Sequence, residues 1–452
     1  MVTIKGLRDK AAFIRTAPAI FLVLNTFVWY LLTYFAFNTI LSSLNLPSND
    51  EIALFLIYNI GIAVTAIVGS KLFPKARTKG LYAWLFMGTI ATFFLIFVSN
   101  ANLLANSLIA FFFGASIGIG LPSCLSYFAN LATIESRGLM GGIIWSLTGF
   151  TVGILAVLMN LGQLDTDAVI IILASWRLIG AVVFPIINRC YKPETEKQPV
   201  EKSPSYFSII RDKQVLLYLF PWVMFSIINF AEGPLIELAF GTELYTSIVM
   251  FEYVFIGIFA IIGGALSDIV GRKRVVIVGF VMLGIEYAAL SAFSGYQAVS
   301  YLFLILDGIT WGLLFSVFLT VIWGDLGERY GKEKFYTVGG IPFLLSAFLT
   351  IIVTPYANTD NINLVTAFSI ASFFLFLAVI PLMYAPETLP EKSMKDRDLK
   401  SYIEKAQKIV SKETKKQQKK EEQKEENADP EPEAEDNSEA YEEAKKLAEK
   451  YY

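Results

Sequence analysis

The chain has 452 residues, 55% of them hydrophobic and 14% aromatic, with a mean hydropathy of +0.55. That is far more apolar than a water-soluble chain of this size needs. The formal net charge is -3 and there is no histidine. Without the commonest metal ligand and neutral-pH proton carrier, any proton chemistry must rest on carboxylates. The two cysteines, Cys124 and Cys190, sit in separate apolar segments, so nothing points to a disulfide framework or an ordinary zinc site. There is no GxxxxGK[ST] phosphate loop; neither an enzyme nor a cofactor is expected.

Lys5, Arg8, Lys10 and Arg15 precede an apolar run over 17–41 with no small-residue cleavage site after it. This reads as a retained first membrane helix. Further runs of spanning length lie at 52–70, 81–98, 103–131, 139–161, 168–190, 215–235, 246–267, 275–293, 299–323, 335–355 and 362–385. The loops after odd-numbered runs contain no Lys or Arg. Those after even-numbered runs carry Lys71 to Lys79, Arg137, Arg189 to Lys213, Arg272 to Arg274, and Arg329 to Lys334. Basic loops stay in the cytoplasm, so both termini are expected inside a multi-pass protein of the plasma membrane.

Between the eighth and ninth runs lies Gly264-Ala-Leu-Ser-Asp268-Ile-Val-Gly271-Arg272-Lys273. This G-x-x-x-D-x-x-G-R-K pattern resembles the signature loop of the major facilitator superfamily. The chain also repeats itself. Gly69 and Arg77 are spaced as Gly264 and Arg272 are, and Pro193-Glu194-Thr195 closes the sixth run as Pro386-Glu387-Thr388 closes the twelfth. A parallel repeat of this kind marks two related halves. The expectation is an all-α polytopic membrane protein with about twelve transmembrane helices in two pseudo-symmetric six-helix bundles. The first occupies 1–190 and the second 215–386, joined by a cytoplasmic linker over 191–214. The remainder, 387–452, is a charged tail, partly helical or disordered, that stays in solution or binds the inner leaflet or a protein partner.

The closing Pro-Glu-Thr motifs, with Glu135-Ser-Arg137-Gly138, look most like the sugar-porter branch. The resemblance implies two bundles rocking about a cavity lined by helices 1, 4, 7 and 10. It also implies cytoplasmic ion-pair networks that hold the outward-open state: Glu194 with Arg77 and Arg137, and Glu387 with Arg272 and Arg329. Asp268 would face the N-terminus of helix 5 near Gly138. The departures are equally specific. Phe73 and Ala76 stand at the aspartate and second-glycine positions of the first-half loop, helix 5 carries Ser146-Leu147-Thr148 where sugar porters have a glutamine, and helix 1 has no aspartate. A sugar is therefore one candidate among several.

A charge at mid-bilayer costs about 2.5–3.5 kcal/mol on insertion scales, so each one needs a reason. Asp307 on helix 10, with Trp311 one turn further along, is the first choice for coupling protonation to solute binding. Asn229 and Glu232 on helix 7 precede Gly233-Pro234, a pair expected to break the helix and free backbone groups for a ligand or gate. Glu252 on helix 8 is a further candidate. Asn25, Trp29 and Thr33 share one face of helix 1 and suit a hydrogen-bonding wall or plain packing. Arg177 lacks an acidic partner in its own half and would pair across the interface, bind an anionic solute, or lean on carbonyls. Glu286 also falls on an outer helix. Gly114 and Gly118 have the spacing of close helix packing.

The function these readings support is a secondary active transporter for a small polar organic solute, of sugar or organic-acid type, driven by proton symport. Efflux of amphiphilic compounds and a non-transporting sensor that signals through the tail are the alternatives. The partners expected are the solute, protons and the lipid bilayer, with no nucleic acid.

Overall fold

The computed structural model describes residues 2–44, 46–75, 77–99, 102–191, 201, 203–293, 295–357 and 363–390, with short pieces of the tail. At 2–12, 75, 77, 160, 161, 191 and 355–357 only the backbone is described. Glu194, its Pro-Glu-Thr motif and the Arg77 side chain lie outside the described residues, as does most of the linker.

Among the described residues, twelve helices are long and apolar enough to cross a bilayer: α1 Phe13–Ser43, α2 Ser48–Leu72, α3 Thr78–Phe97, α4 Leu103–Leu131, α5 Arg137–Met159, α6 Thr166–Cys190, α7 Lys213–Phe240, α8 Thr242–Val270, α9 Arg272–Phe293, α10 Gln297–Leu326, α11 Glu333–Thr354 and α12 Leu364–Tyr384. Polar caps start three of them, Asn102 at α4, Asp212 at α7 and Asn363 at α12, each accepting from backbone N–H groups of the first turn. The fourth span is broken. Its first segment ends at Gly118 and a second starts at Leu121, with Pro122 in the opening turn, where a missing N–H costs nothing. Pro234 does not end α7, which runs on to Phe240. The carbonyl of Phe230, four residues back, is deprived of its usual donor by the proline. The Thr350 hydroxyl of α11 donates to it at 2.8 Å, so the carbonyl that the proline strands is satisfied.

Packing partners repeat between halves. In the first half α1 packs on α5 and α6, α2 on α4, and α3 on α6; in the second α7 packs on α11 and α12, α8 on α10, and α9 on α12. The halves meet chiefly along α5 against α8 and α2 against α11, which the same symmetry relates. Large apolar side chains such as Leu104, Leu108, Phe251 and Ile269 stand exposed on the outer faces, as a lipid-facing surface requires. Residues up to Thr388 form one compact unit and Leu389 onward a second; within the latter, 406–414 are helical.

Candidate functional site

Two polar constellations stand apart along the bundle axis. One lies at the end where α1 begins and α12 finishes, which carries the Lys- and Arg-rich loops and is called here the basic end. The other is deeper, toward the opposite end.

At the basic end Asp268, in the last turn of α8, accepts from the backbone N–H groups of Gly138 (3.0 Å) and Leu139 (2.8 Å) in the first turn of α5. An anion is stabilised there by the helix dipole and the unpaired donors. The helices can approach this closely because Gly264 faces Gly138. A side chain on either would collide with the other's carbonyl oxygen. Arg272, wholly buried, pairs with Asp268 at 2.8 Å and with Asp325 at 3.3 Å, and it donates to the carbonyl oxygens of Ile134 (2.6 Å) and Ser267 (2.9 Å).

Arg137 crosses the interface to Asp325 and, at 2.9 Å, to Glu328, and donates to the Ala129 carbonyl at 2.6 Å. Lys332 pairs with Glu328 at 3.0 Å and donates to the Asn130 side chain at 2.9 Å. Burial, with the Arg137 guanidinium beside it, holds the Lys332 ammonium below its ordinary range against the pull of Glu328.

Glu387 does not meet the guanidinium groups expected of it. Its carboxylate accepts the backbone N–H groups of Arg272 (2.8 Å) and Lys273 (3.2 Å), which makes it the N-terminal anion of α9. Gly271, at φ +104, turns the chain into that position, and a side chain there would collide with Glu387. The Lys273 ammonium donates to the Ala385 and Met383 carbonyls at the end of α12. Arg329 is exposed and enters through its backbone carbonyl, which accepts from Glu201 N–H at 3.3 Å. Its expected place in the network belongs to Asp325, Glu328 and Lys332, which the sequence reading did not single out. A signal was present, since Asp325 and Glu328 stand three residues apart, the spacing of one helix face. In the first half, Phe73 packs against α3, its ring 3.0 Å from where a side chain on Gly80 would begin.

Midway along the axis an aromatic stack joins the halves. Trp145 of α5 stacks on Phe315 of α10 with centroids 4.2 Å apart, and its indole donates to Thr320 at 2.7 Å. Phe27 of α1 lies 4.6 Å from Trp145, and Trp311 lies 4.6 Å from Phe315 and 5.0 Å from Phe225 of α7. Over Phe315–Ile322 α10 widens into a π-helical stretch, a form often found at functional positions.

Beyond this stack the second half carries its carboxylates. Asp307 on α10 and Glu252 on α8 are each about 15 Å along their helices from the end opposite the basic one, close to mid-bilayer depth. Their carboxyls come within hydrogen-bonding reach of each other, with the Trp311 indole beside Asp307. Asp307 is buried and Glu252 half-buried. The approach depends on Gly308 and Gly312, which lie against the backbone of α8 at Glu252 and Ile256. Nearer the end opposite the basic one, Tyr287 of α9 donates to Asn229 at 3.2 Å, and Glu232 is half-buried with one carboxyl oxygen unbonded.

The first half holds the cation. Arg177 is fully buried between the rings of Trp29 (4.2 Å) and Trp84 (4.3 Å) and donates to the Asn25 side chain at 3.1 Å and to Thr26 at 3.0 Å. Among the described residues no carboxylate pairs with it, so stacking and neutral oxygens offset its burial. Asn25, Trp29 and Thr33 accordingly form no solute-facing wall. Asn25 also donates to the Trp176 carbonyl at 2.8 Å, the Trp29 indole donates to Thr92 at 2.7 Å, and the Thr33 hydroxyl donates to the Trp29 carbonyl at 2.6 Å. All three are buried inside the first half. The next face of α1 supplies the interface contact instead, through Tyr34, whose hydroxyl donates to Ala347 of α11 at 3.2 Å. Gly114 and Gly118 lie against the α2 backbone at Tyr58 and Ile62.

The family model of the Major Facilitator Superfamily matches residues 18–322. A comparison with curated protein sequences returned no match. Among solved structures, a variant of the E. coli fucose:proton symporter superposes with a TM-score of 0.62 at 12% identity, covering 83% of this chain and 99% of that one. A second structure, of the transporter FucP in the outward conformation, gives a TM-score of 0.60 at 13% identity and covers 83% and 100%. With the signature loop, the twelve spans and the repeated bundles, these findings establish that the chain belongs to the Major Facilitator Superfamily and is a multi-pass membrane transporter.

Proposed function

We propose that the protein is a proton-coupled symporter for a small polar organic solute of the sugar or organic-acid type. The observation that carries this reading is the Glu252–Asp307 carboxyl pair. Two carboxyls side by side at mid-bilayer depth can share one proton and repel each other when both are ionised, and no described Lys or Arg pairs with either. Loss and gain of that proton would change how α8 holds α10, and with it the aromatic stack that joins the halves. Trp311 would form the floor of the solute site, and Asn229 and Glu232 its rim. The naming of a structural neighbour as a fucose:proton symporter agrees with this reading, although at 12% identity it carries the fold alone. Each proton moving down about 100 mV supplies about 2.3 kcal/mol, enough for about fifty-fold accumulation.

The halves are assigned as 1–190 and 215–386, with 191–214 as linker and 387–452 as tail, and the basic end faces the cytoplasm of a plasma-membrane protein, in line with the basic loops. With Asp268, Arg272, Arg137 and Asp325 engaged, that end is closed and the solute site opens outward.

A thermal-shift screen against sugars and organic acids identifies the solute, because a ligand of the folded state raises apparent stability. In proteoliposomes Asp307→Asn should then abolish accumulation against a gradient while leaving solute exchange intact; undiminished accumulation sinks the proposal.

A further inference from the structure

Glu286 lies on α9, about 10 Å along the helix from the end opposite the basic one. It is 1% exposed, and neither carboxyl oxygen is hydrogen-bonded among the described residues. An ionised carboxylate left this way would cost several kcal/mol, so the position demands a bound cation or proton. Gly279, on the same helix, packs against Thr310 and Leu314 of α10. Continuing that antiparallel contact by two turns brings Glu286 level with Asp307, within electrostatic reach of both Asp307 and Glu252. The next residue, Tyr287, is surrounded in turn by acids and a phenol only: Glu286 itself, Asp307, Glu232 on α7 and Tyr245 on α8. The described part of α12, packed on the other side of α9, has no charged residue. Thr310, one turn along from Asp307, is fully buried with its hydroxyl also unbonded.

A metal ion is the weaker occupant, because among the described residues no three acids are arranged to hold one. We propose that Glu286 is a second proton-binding site linked to the Glu252–Asp307 pair, so that the network holds two exchangeable protons. This rests on the coupling role proposed for that pair.

Infrared difference spectroscopy of the reconstituted full-length protein tests it without a solute, with a pH step as the only probe. Two carboxylic-acid C=O bands, both displaced in heavy water, are expected. Glu286→Gln should lose one band and shift the titration midpoint of the other, a change that a purely packing role would not produce. Glu286→Asp, which keeps a carboxyl, should retain a displaced band and guards against misfolding. Asp307→Asn should lose the other band. A Glu286→Gln spectrum identical to the wild type overturns the inference. So does a band that sodium chloride titrates away at fixed pH, which would mark a cation site. If Glu286→Gln behaves as expected and Asp307→Asn changes nothing, Glu286 stands and the pair's role falls.

Discussion

Asp325 of the second half binds Arg137 of the first half and Arg272 of its own with the two oxygens of one carboxylate. All three side chains are almost completely buried. Removing one member of such a cluster leaves the others charged in a low dielectric, which costs about 3–5 kcal/mol. That cost falls on the closed form only, because parting the halves exposes both arginines to water.

Asp325→Asn should therefore open the basic end. With Cys190, the exposed native cysteine, replaced by serine, a thiol placed by Ala132→Cys at a 4% exposed position should react many-fold faster in the Asp325→Asn background. Equal labelling rates would mean that the cluster does not hold this end shut.

The two signature loops should contribute unequally. Asp268 serves two N–H donors and Arg272 at once, and an anion at a partly buried helix N-terminus is worth up to about 2 kcal/mol. Phe73 makes an apolar contact with α3 and carries no charge to offer a helix terminus. Asp268→Asn should lower solute flux far more than Phe73→Leu, and comparable losses would reduce the loop to a topological signal.

Close approach at Gly138 is a packing requirement that can be measured against a glycine in open space. Gly138→Ala must push apart Ser267, Gly264 and Asp268, whereas a side chain on Gly340 meets nothing within 4 Å. Overpacking costs about 1–3 kcal/mol, while an unhindered Gly→Ala in a helix gains about 0.4–1 kcal/mol. Thermal unfolding in detergent should separate the two with opposite signs.

Thr350→Val tests how α7 survives Pro234. Without the hydroxyl, the Phe230 carbonyl loses the donor it has at 2.8 Å, and an unpaired acceptor at such a half-buried position costs about 1 kcal/mol, the low end of the range for buried groups. A drop in thermal stability of that order is expected; restoring the donor with Thr350→Ser should recover most of it, and no drop would show that the carbonyl is satisfied in another way.

Residue types and their spacing determined most of the architecture. Twelve apolar runs, a loop charge alternating from one turn to the next, and motifs recurring in the two halves follow from what a bilayer tolerates along a chain, and such constraints are local in sequence. The position of Asp268 against α5 followed from the resemblance of its loop to the family's; the residues alone offered an anion to a cation or to a helix N-terminus, and in the structure it serves both. Only the tertiary structure decided which groups meet. Burial and pairing depend on which face of a helix turns inward and on its neighbour at the same depth, and neither is written in periodicity alone. So Asn25 and Trp29 turned toward Arg177, and Thr33 bonded back to its own helix, all three buried inside the first half. Asp325 displaced Arg329 from the gate, Thr350 repaired the break at Pro234, and Glu252, Glu286 and Asp307, far apart in sequence, came within reach of one another through the glycine contacts of α10 with α8 and α9.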